Sequence, residues 1–205
     1  MQTLPDFQFE TIATRTGARR IVGVDEVGRG PLAGPVTAAA VWLDASSLPP
    51  VLQDSKRLGS AARAAAFVQI MALADVGIGH ASPAEIDDVN ILQATYLAMS
   101  RAIAALRMPP DHLLIDGNRL PPGLPCRAEA IVKGDARSLS VAAASIVAKV
   151  TRDRIMTDLA RRYPGYGWEE NAGYPTKRHK NAIADLGITP EHRRSFAPIR
   201  NMLCG

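Results

Sequence analysis

Cysteine is scarce in this chain: Cys126 and Cys204 are the two in 205 residues. They show no CxxC spacing and build no disulfide framework, which fits a reduced, cytoplasmic setting better than a secreted one. Long apolar runs are missing too. None approaches the ~20 residues that span a bilayer, so no membrane partner is expected. The opening MQTLPDFQFE lacks the basic stretch and following apolar stretch of a signal peptide. There is no internal repeat and no low-complexity segment, which excludes a repeat array.

What is present is ordinary in bulk and uneven in charge. The composition is 47% hydrophobic and 21% charged, as in water-soluble globular proteins, and the length suits one domain. Residues 1–126 hold 10 Lys/Arg against 12 Asp/Glu, a net of −2; residues 127–205 hold 14 against 8, a net of +6. A basic second half suits a partner rich in phosphate, although a solvated helical surface has the same composition.

Five apolar runs read as strands: 21–25, 36–43, 77–81, 113–116 and 128–133. Between them lie helical patterns. Ser60 is expected to cap an Ala-rich helix to about Ala74. Ser82-Pro83 followed by Glu85 has capping-box spacing with proline at the first helical position. Asn90 precedes a helix from Ile91 to Arg107, and 136–162 reads as one long helix. Thr176 to Leu186 and a short segment after Pro190 complete the helices. Strands that come first and then alternate with helices predict a mixed α/β sheet with a helical C-terminal region.

Three of these runs end in acids. Asp25 and Glu26 close the first, Asp116 the fourth, and Asp135 follows the fifth. Carboxyl ends of strands are where ligands gather in open α/β sheets. Gathered carboxylates repel one another, and divalent cations such as Mg²⁺ and Mn²⁺, which prefer oxygen ligands, remove that cost. Singly, each acid has a plainer reading: a polar strand end, a turn aspartate in Asp116-Gly117, a helix-cap acid. Their recurrence is the signal. Gly28-Arg29-Gly30-Pro31 follows the first pair. Glycine backbone can approach a ligand closely, and Arg29 can reach a phosphate oxygen; a plain turn is the simpler reading.

The stretch Val24-Asp25-Glu26-Val27-Gly28-Arg29-Gly30-Pro31-Leu32-Ala33-Gly34-Pro35-Val36 resembles the opening motif of the bacterial ribonuclease HII family, the type 2 ribonucleases H. The resemblance continues through Asp54-Ser55-Lys56-Arg57-Leu58, Leu114-Ile115-Asp116-Gly117-Asn118, Lys133-Gly134-Asp135, Ser140 to Lys149, Arg152-Asp153, Asn171-Ala172-Gly173-Tyr174-Pro175-Thr176, His179, and His192-Arg193-Arg194-Ser195-Phe196. It spans nearly everything from 20 to 200.

The resemblance implies a ribonuclease H-like fold: a mixed five-stranded sheet flanked by helices, with residues 1–160 as catalytic core and 161–205 completing the substrate cleft in a single structural domain. It implies cleavage of RNA in RNA–DNA hybrids and incision 5′ of single ribonucleotides in duplex DNA. Asp25, Glu26, Asp116 and Asp135 fall on the family's four acids, which hold divalent metal, Mn²⁺ or Mg²⁺, two per site. Gly28-Arg29-Gly30 falls on the loop whose backbone reads the ribose 2′-hydroxyl, and Tyr174 on the tyrosine beside the sugar at the RNA–DNA junction. About two dozen residues precede Asp25, fewer than the extra N-terminal domain of type HIII enzymes needs. A monomer is expected.

Ser55 and Lys56 are candidates for a phosphate on the second strand, or else for a helix start. Lys149, Lys177, Arg178 and Lys180 are candidate phosphate contacts that read equally as solvated helix charges. His179 and His192 are expected to be exposed and neither ligands nor acid/base groups, and Trp42 to be core.

Overall fold

The computed structural model describes residues 4–49, 52 and 59–203. Within them, five strands form one mixed sheet in the order β3-β2-β1-β4-β5: β1 Ile21–Val27, β2 Val36–Trp42, β3 Asp75–Ala81, β4 His112–Asp116 and β5 Arg127–Ile131. β1 is central, antiparallel to β2 and parallel to β4. The helices are α1 Gln8–Arg15, α2 Ser60–Leu73, α3 Pro83–Ala104, α4 Leu139–Arg162, α5 Trp168–Asn171, α6 Lys177–Leu186 and α7 Ala197–Leu203.

The sheet is covered on both faces, which is why β1 and β2 are continuous apolar runs rather than alternating ones. Val22, Val24, Leu113 and Ile115 pack with Ala94, Ala98 and Ala102 of α3. The opposite face meets α4, and Gly23 makes this possible: a Cβ there would lie 2.1 Å from the Ser140 carbonyl carbon. α4 therefore lies directly on the central strand. A third apolar cluster joins Leu32 and Ala33 to Met156, Trp168, Ile183 and Ile199, so the loop after β1 is built into the C-terminal region.

The Ser82–Glu85 capping box forms as read. Asn90 has φ 68° inside α3, and its Oδ1 accepts from the amides of Leu92 and Gln93, so it restarts the helix after a kink. Other expectations need correction. Gly59, not Ser60, occupies the cap position of α2, and no side-chain cap bond forms. α3 stops at Ala104 rather than Arg107, because the amides of Arg107 and Met108 turn onto the Asp75 carboxylate. The expected long helix from 136 begins at Leu139: Lys133 adopts a left-handed φ of 57°, Gly134–Ala136 form a separate 3₁₀ turn, and Ser138 caps α4 through the Val141 amide. α1 and α5 had no counterpart in the sequence reading.

Candidate active site

Parallel pairing sets the geometry. Val24 is opposite Ile115, so one step on, Asp25 and Asp116 stand side by side at the carboxyl ends of β1 and β4. Alternation along β1 turns Asp25 toward α4 and Glu26 toward α3. The 3₁₀ turn carries Asp135, and its Gly134 amide donates to Asp116 Oδ1 at 2.6 Å. That bond ties the third acid to the loop of the fourth.

Asp25 is buried, and the Glu26 amide donates to its Oδ1 at 2.7 Å. Burial first, then the carboxylates of Asp116 and Glu26, push the Asp25 carboxyl well above the usual range, against the opposing Ser145 hydroxyl and Glu26 amide. Burial also raises Glu26, opposed by Arg29, and raises Asp116, opposed by the Gly134 amide and reinforced by Asp135. The four acids thus form one electrostatic string. Among the described residues no three His, Cys, Asp or Glu side chains close into a ready-made metal cage. Glu26 Oε1 accepts from Arg29 at 3.2 Å, while its buried Oε2 has no partner. An unpartnered carboxylate oxygen beside other carboxylates is a site that a cation fits. Glu26, Arg29, Tyr96, Asp116, Gly117 and Asn118 contribute to the lining of an adjoining cavity of about 280 Å³.

The Gly28-Arg29-Gly30 loop leaves β1 with Gly28 at φ 92°. Tyr174 lies across it, its Cε1 3.5 Å from where a Gly30 Cβ would be. Residues about 145 positions apart are thus neighbours. Tyr174 is 41% exposed, not the core aromatic that its turn alone would suggest. Lys149 pairs with Asp153 at 2.8 Å, Arg178 with both Glu169 and Glu170, and Lys177 and Lys180 are exposed on α6. Ser55 and Lys56 lie outside the described residues. Trp42 is half-buried rather than fully core, with the Arg20 guanidinium over its ring at 4.6 Å.

The expectation of exposed histidines is wrong. His179 and His192 are fully buried, with Nε2 atoms 3.3 Å apart. Trp168 Nε1 donates to His179 Nε2 at 2.9 Å, and His179 Nδ1 lies 3.0 Å from the Tyr174 carbonyl oxygen. Burial and the neighbouring His179 hold His192 down at about 4. The pair is a neutral structural core beneath Tyr174.

Sequence reasoning also gave no role to Arg152 and Arg193, both fully buried. Arg152 donates to the carbonyls of Pro35, Ala172 and Ala33. Arg193 donates to those of Gly28, Arg29 and Gly34. Burial lowers their guanidinium groups to about 10 and about 9. Hydrogen bonds to a charged group contribute about 1.5–3 kcal/mol each, while burying each ion costs several kcal/mol. The terms nearly cancel, so the arginines specify the loop's shape more than they stabilise the protein.

Fold and site together belong to the ribonuclease H class. The structure superposes on the ribonuclease H2 from Pyrococcus horikoshii OT3 with a TM-score of 0.76 and 29% identity, covering 90% of this chain and 97% of that one. It also matches the ribonuclease HII of the PCNA:RNase HII complex from Archaeoglobus fulgidus, with a TM-score of 0.73 and 27% identity over 85% of this chain and 94% of that one. Residues 22–199 match the family model for Ribonuclease HII, and a Ribonuclease HII from Paracoccus denitrificans is 60% identical over 98% of this chain and 95% of its own length. The chain belongs to the ribonuclease HII family. It is accordingly a ribonuclease H hydrolase, of the class that cleaves endonucleolytically the RNA of RNA–DNA hybrids.

Proposed function

We propose that the chain also incises duplex DNA 5′ of a single embedded ribonucleotide, with Asp25, Glu26, Asp116 and Asp135 as the metal-holding acids. The observation that carries this is the meeting of the buried Asp25 and half-buried Asp116 with the Gly28–Gly30 loop and Tyr174 at one strand end. Two divalent ions, Mg²⁺ or Mn²⁺, bound there would activate a water and neutralise the departing 3′-oxygen, leaving 5′-phosphate and 3′-hydroxyl ends. Asp25, on the central strand, would supply a carboxylate to hold them. Glu26 offers its free Oε2 and its backbone carbonyl, and Asp116 and Asp135 complete the flanks. The open arrangement suits Mg²⁺, which keeps waters and takes one or two carboxylates plus substrate phosphate.

The chain's own groups supply selection. The Gly28–Gly30 backbone faces the ribose 2′-hydroxyl, a group that both donates and accepts. Tyr174 packs beside the next sugar, where a further hydroxyl would clash. Lys149 and Lys177 contribute phosphate contacts, with Lys149 first leaving Asp153. Residues 161–205 complete the cleft of a single domain, and the chain acts as a monomer.

The test is incision of a duplex bearing one ribonucleotide, with Mg²⁺ or Mn²⁺, beside the same duplex in all-DNA form. A cut at the ribonucleotide alone is expected. No cut in either metal sinks the reading, and equal cutting of both duplexes favours a nuclease indifferent to ribose.

A further inference from the structure

Arg193 does something to the Gly28–Gly30 loop that the loop's own residues do not explain. Its Nη2 donates to the Gly28 carbonyl at 2.6 Å and its Nη1 to the Arg29 carbonyl at 3.0 Å. Nη2 and Nε also hold the Gly34 carbonyl at 2.8 and 3.0 Å. All four bonds run to backbone. The neighbouring carboxylate, Asp87, is engaged with the amides of Arg194 and Ser195.

The described chain has no cis peptide, and across a trans peptide the C=O and N–H point in opposite directions. The Gly28 carbonyl faces Arg193, so the Arg29 amide faces away from it. The Arg29 carbonyl faces Arg193, so the Gly30 amide faces away as well. Gly28 is buried, whereas Arg29 and Gly30 are exposed, and among the described residues no hydrogen bond engages either of these amides. One planar fork therefore turns two successive N–H groups outward, next to the Tyr174 ring. A lysine ammonium is a point charge and has no fork to hold two adjacent carbonyls in one plane.

We propose that Arg193 is a positioning residue for ribose selection: its buried guanidinium gathers the Gly28 and Arg29 carbonyls and so presents the Arg29 and Gly30 amides together toward the 2′-oxygen. This rests on the reading of Gly28–Gly30 as the ribose-sensing loop. Arg193 touches no substrate. Its effect travels through the two peptide planes it orients.

The test compares Arg193→Lys and Arg193→Gln with Ile183→Ala, a fully buried residue of the same C-terminal cluster that serves as a stability-matched control. For each, kcat/KM is measured with Mn²⁺ on the one-ribonucleotide duplex and on the all-DNA duplex, together with the melting temperature and the Kd for each duplex in Ca²⁺. Both Arg193 variants should lose about 10- to 100-fold in the ribo/deoxy ratio, carried by kcat, as misplacement of a substrate-facing donor does. Their Kd should rise by no more than about threefold, because phosphate contacts dominate duplex affinity. Ile183→Ala should melt lower with its ratio intact. Unchanged ratios in the Arg193 variants, or an equal loss in Ile183→Ala, overturn the proposal. A wild-type chain that cuts both duplexes alike sinks the ribose-sensing reading itself; a selective wild type beside an equally selective Arg193→Lys sinks only the role of Arg193. If neither Arg193 variant folds, amide hydrogen exchange on the wild-type chain decides. The Arg29 and Gly30 amides should exchange quickly in the free protein and be protected by the ribonucleotide duplex but not by DNA. Protection in the free protein overturns the outward placement.

Discussion

At the scale of single residues, Asp25 carries its charge at a cost, which a proton or a cation relieves. It is buried, flanked by two carboxylates, and raised in pKa by all three circumstances. Asp25→Asn keeps the shape and removes the charge. Cleavage should fall by several orders of magnitude, while the Kd for a ribonucleotide duplex in Ca²⁺ changes little; turnover near the wild-type rate would remove Asp25 from the metal site. Tyr174→Ala should reduce incision at a single ribonucleotide about tenfold more than cleavage within long RNA stretches, because only the former has a deoxyribose next to the ring. Side-by-side kinetics on the two substrates check it, and equal losses would end the junction-sensing role. The residues that the sequence did not reveal share one feature: polar or charged types are expected outside. Arg152, Arg193, His179 and His192 are all inside, and their burial depends on partners far away in the chain.

At the scale of elements, legibility followed local pattern. All five strands were readable, β1, β2 and β4 as buried apolar runs, whereas β3 and β5 are only partly buried. The Ser82–Glu85 box and Asn90 were readable because capping is decided within three or four residues. α1 was not. It is only eight residues long, with Glu10 and Ala13 its buried residues, and what holds it is Glu10, whose Oε1 accepts from the Ser138 hydroxyl at 2.6 Å and the Ser140 amide at 2.9 Å. The 3₁₀ turn bearing Asp135 was hidden in the apparent continuity of 136–162, since nothing in Lys133 announces a left-handed φ. One close contact between elements is α4 on β1 at Gly23. Gly23→Ala would drive a methyl into the Ser140–Val141 backbone, and overpacking costs about 1–3 kcal/mol even against side chains that can move. A loss of about 3 kcal/mol or more in urea unfolding is expected, with Asp25 displaced and activity reduced; wild-type stability would mean that α4 is free to shift.

At the scale of the whole molecule, the buried histidines link stability to pH. His192 ionises at about 4 when folded, against an ordinary value of 6.5. The unfolded chain therefore binds its proton first, and stability present above pH 6.5 is lost as pH falls toward 4, by roughly 3 kcal/mol in total. The raised carboxyls of Asp25, Glu26 and Asp116 act in the opposite sense, so the contribution is isolated by comparison. His192→Asn should show a shallower fall in melting temperature between pH 6.5 and 4.5 than the wild type, measured by calorimetry; parallel curves would contradict the assignment. Uneven charge along the sequence was legible, but its meaning was not. Within the basic C-terminal part, Lys149, Arg161 and Arg178 are held in ion pairs and Arg152 and Arg193 in buried forks, whereas Lys177 and Lys180 stand exposed on α6.

The fork of Arg193 closes on a carbonyl 165 positions upstream. Contacts of such long sequence separation form late in folding. During synthesis at about 5–20 residues per second, roughly 8–33 s separate the appearance of Gly28 from that of Arg193. Throughout that interval the nascent chain already carries Asp25 and Glu26 but not the clamp that shapes the loop beside them. The loop beside these acids therefore takes its final shape only when the C-terminal segment docks.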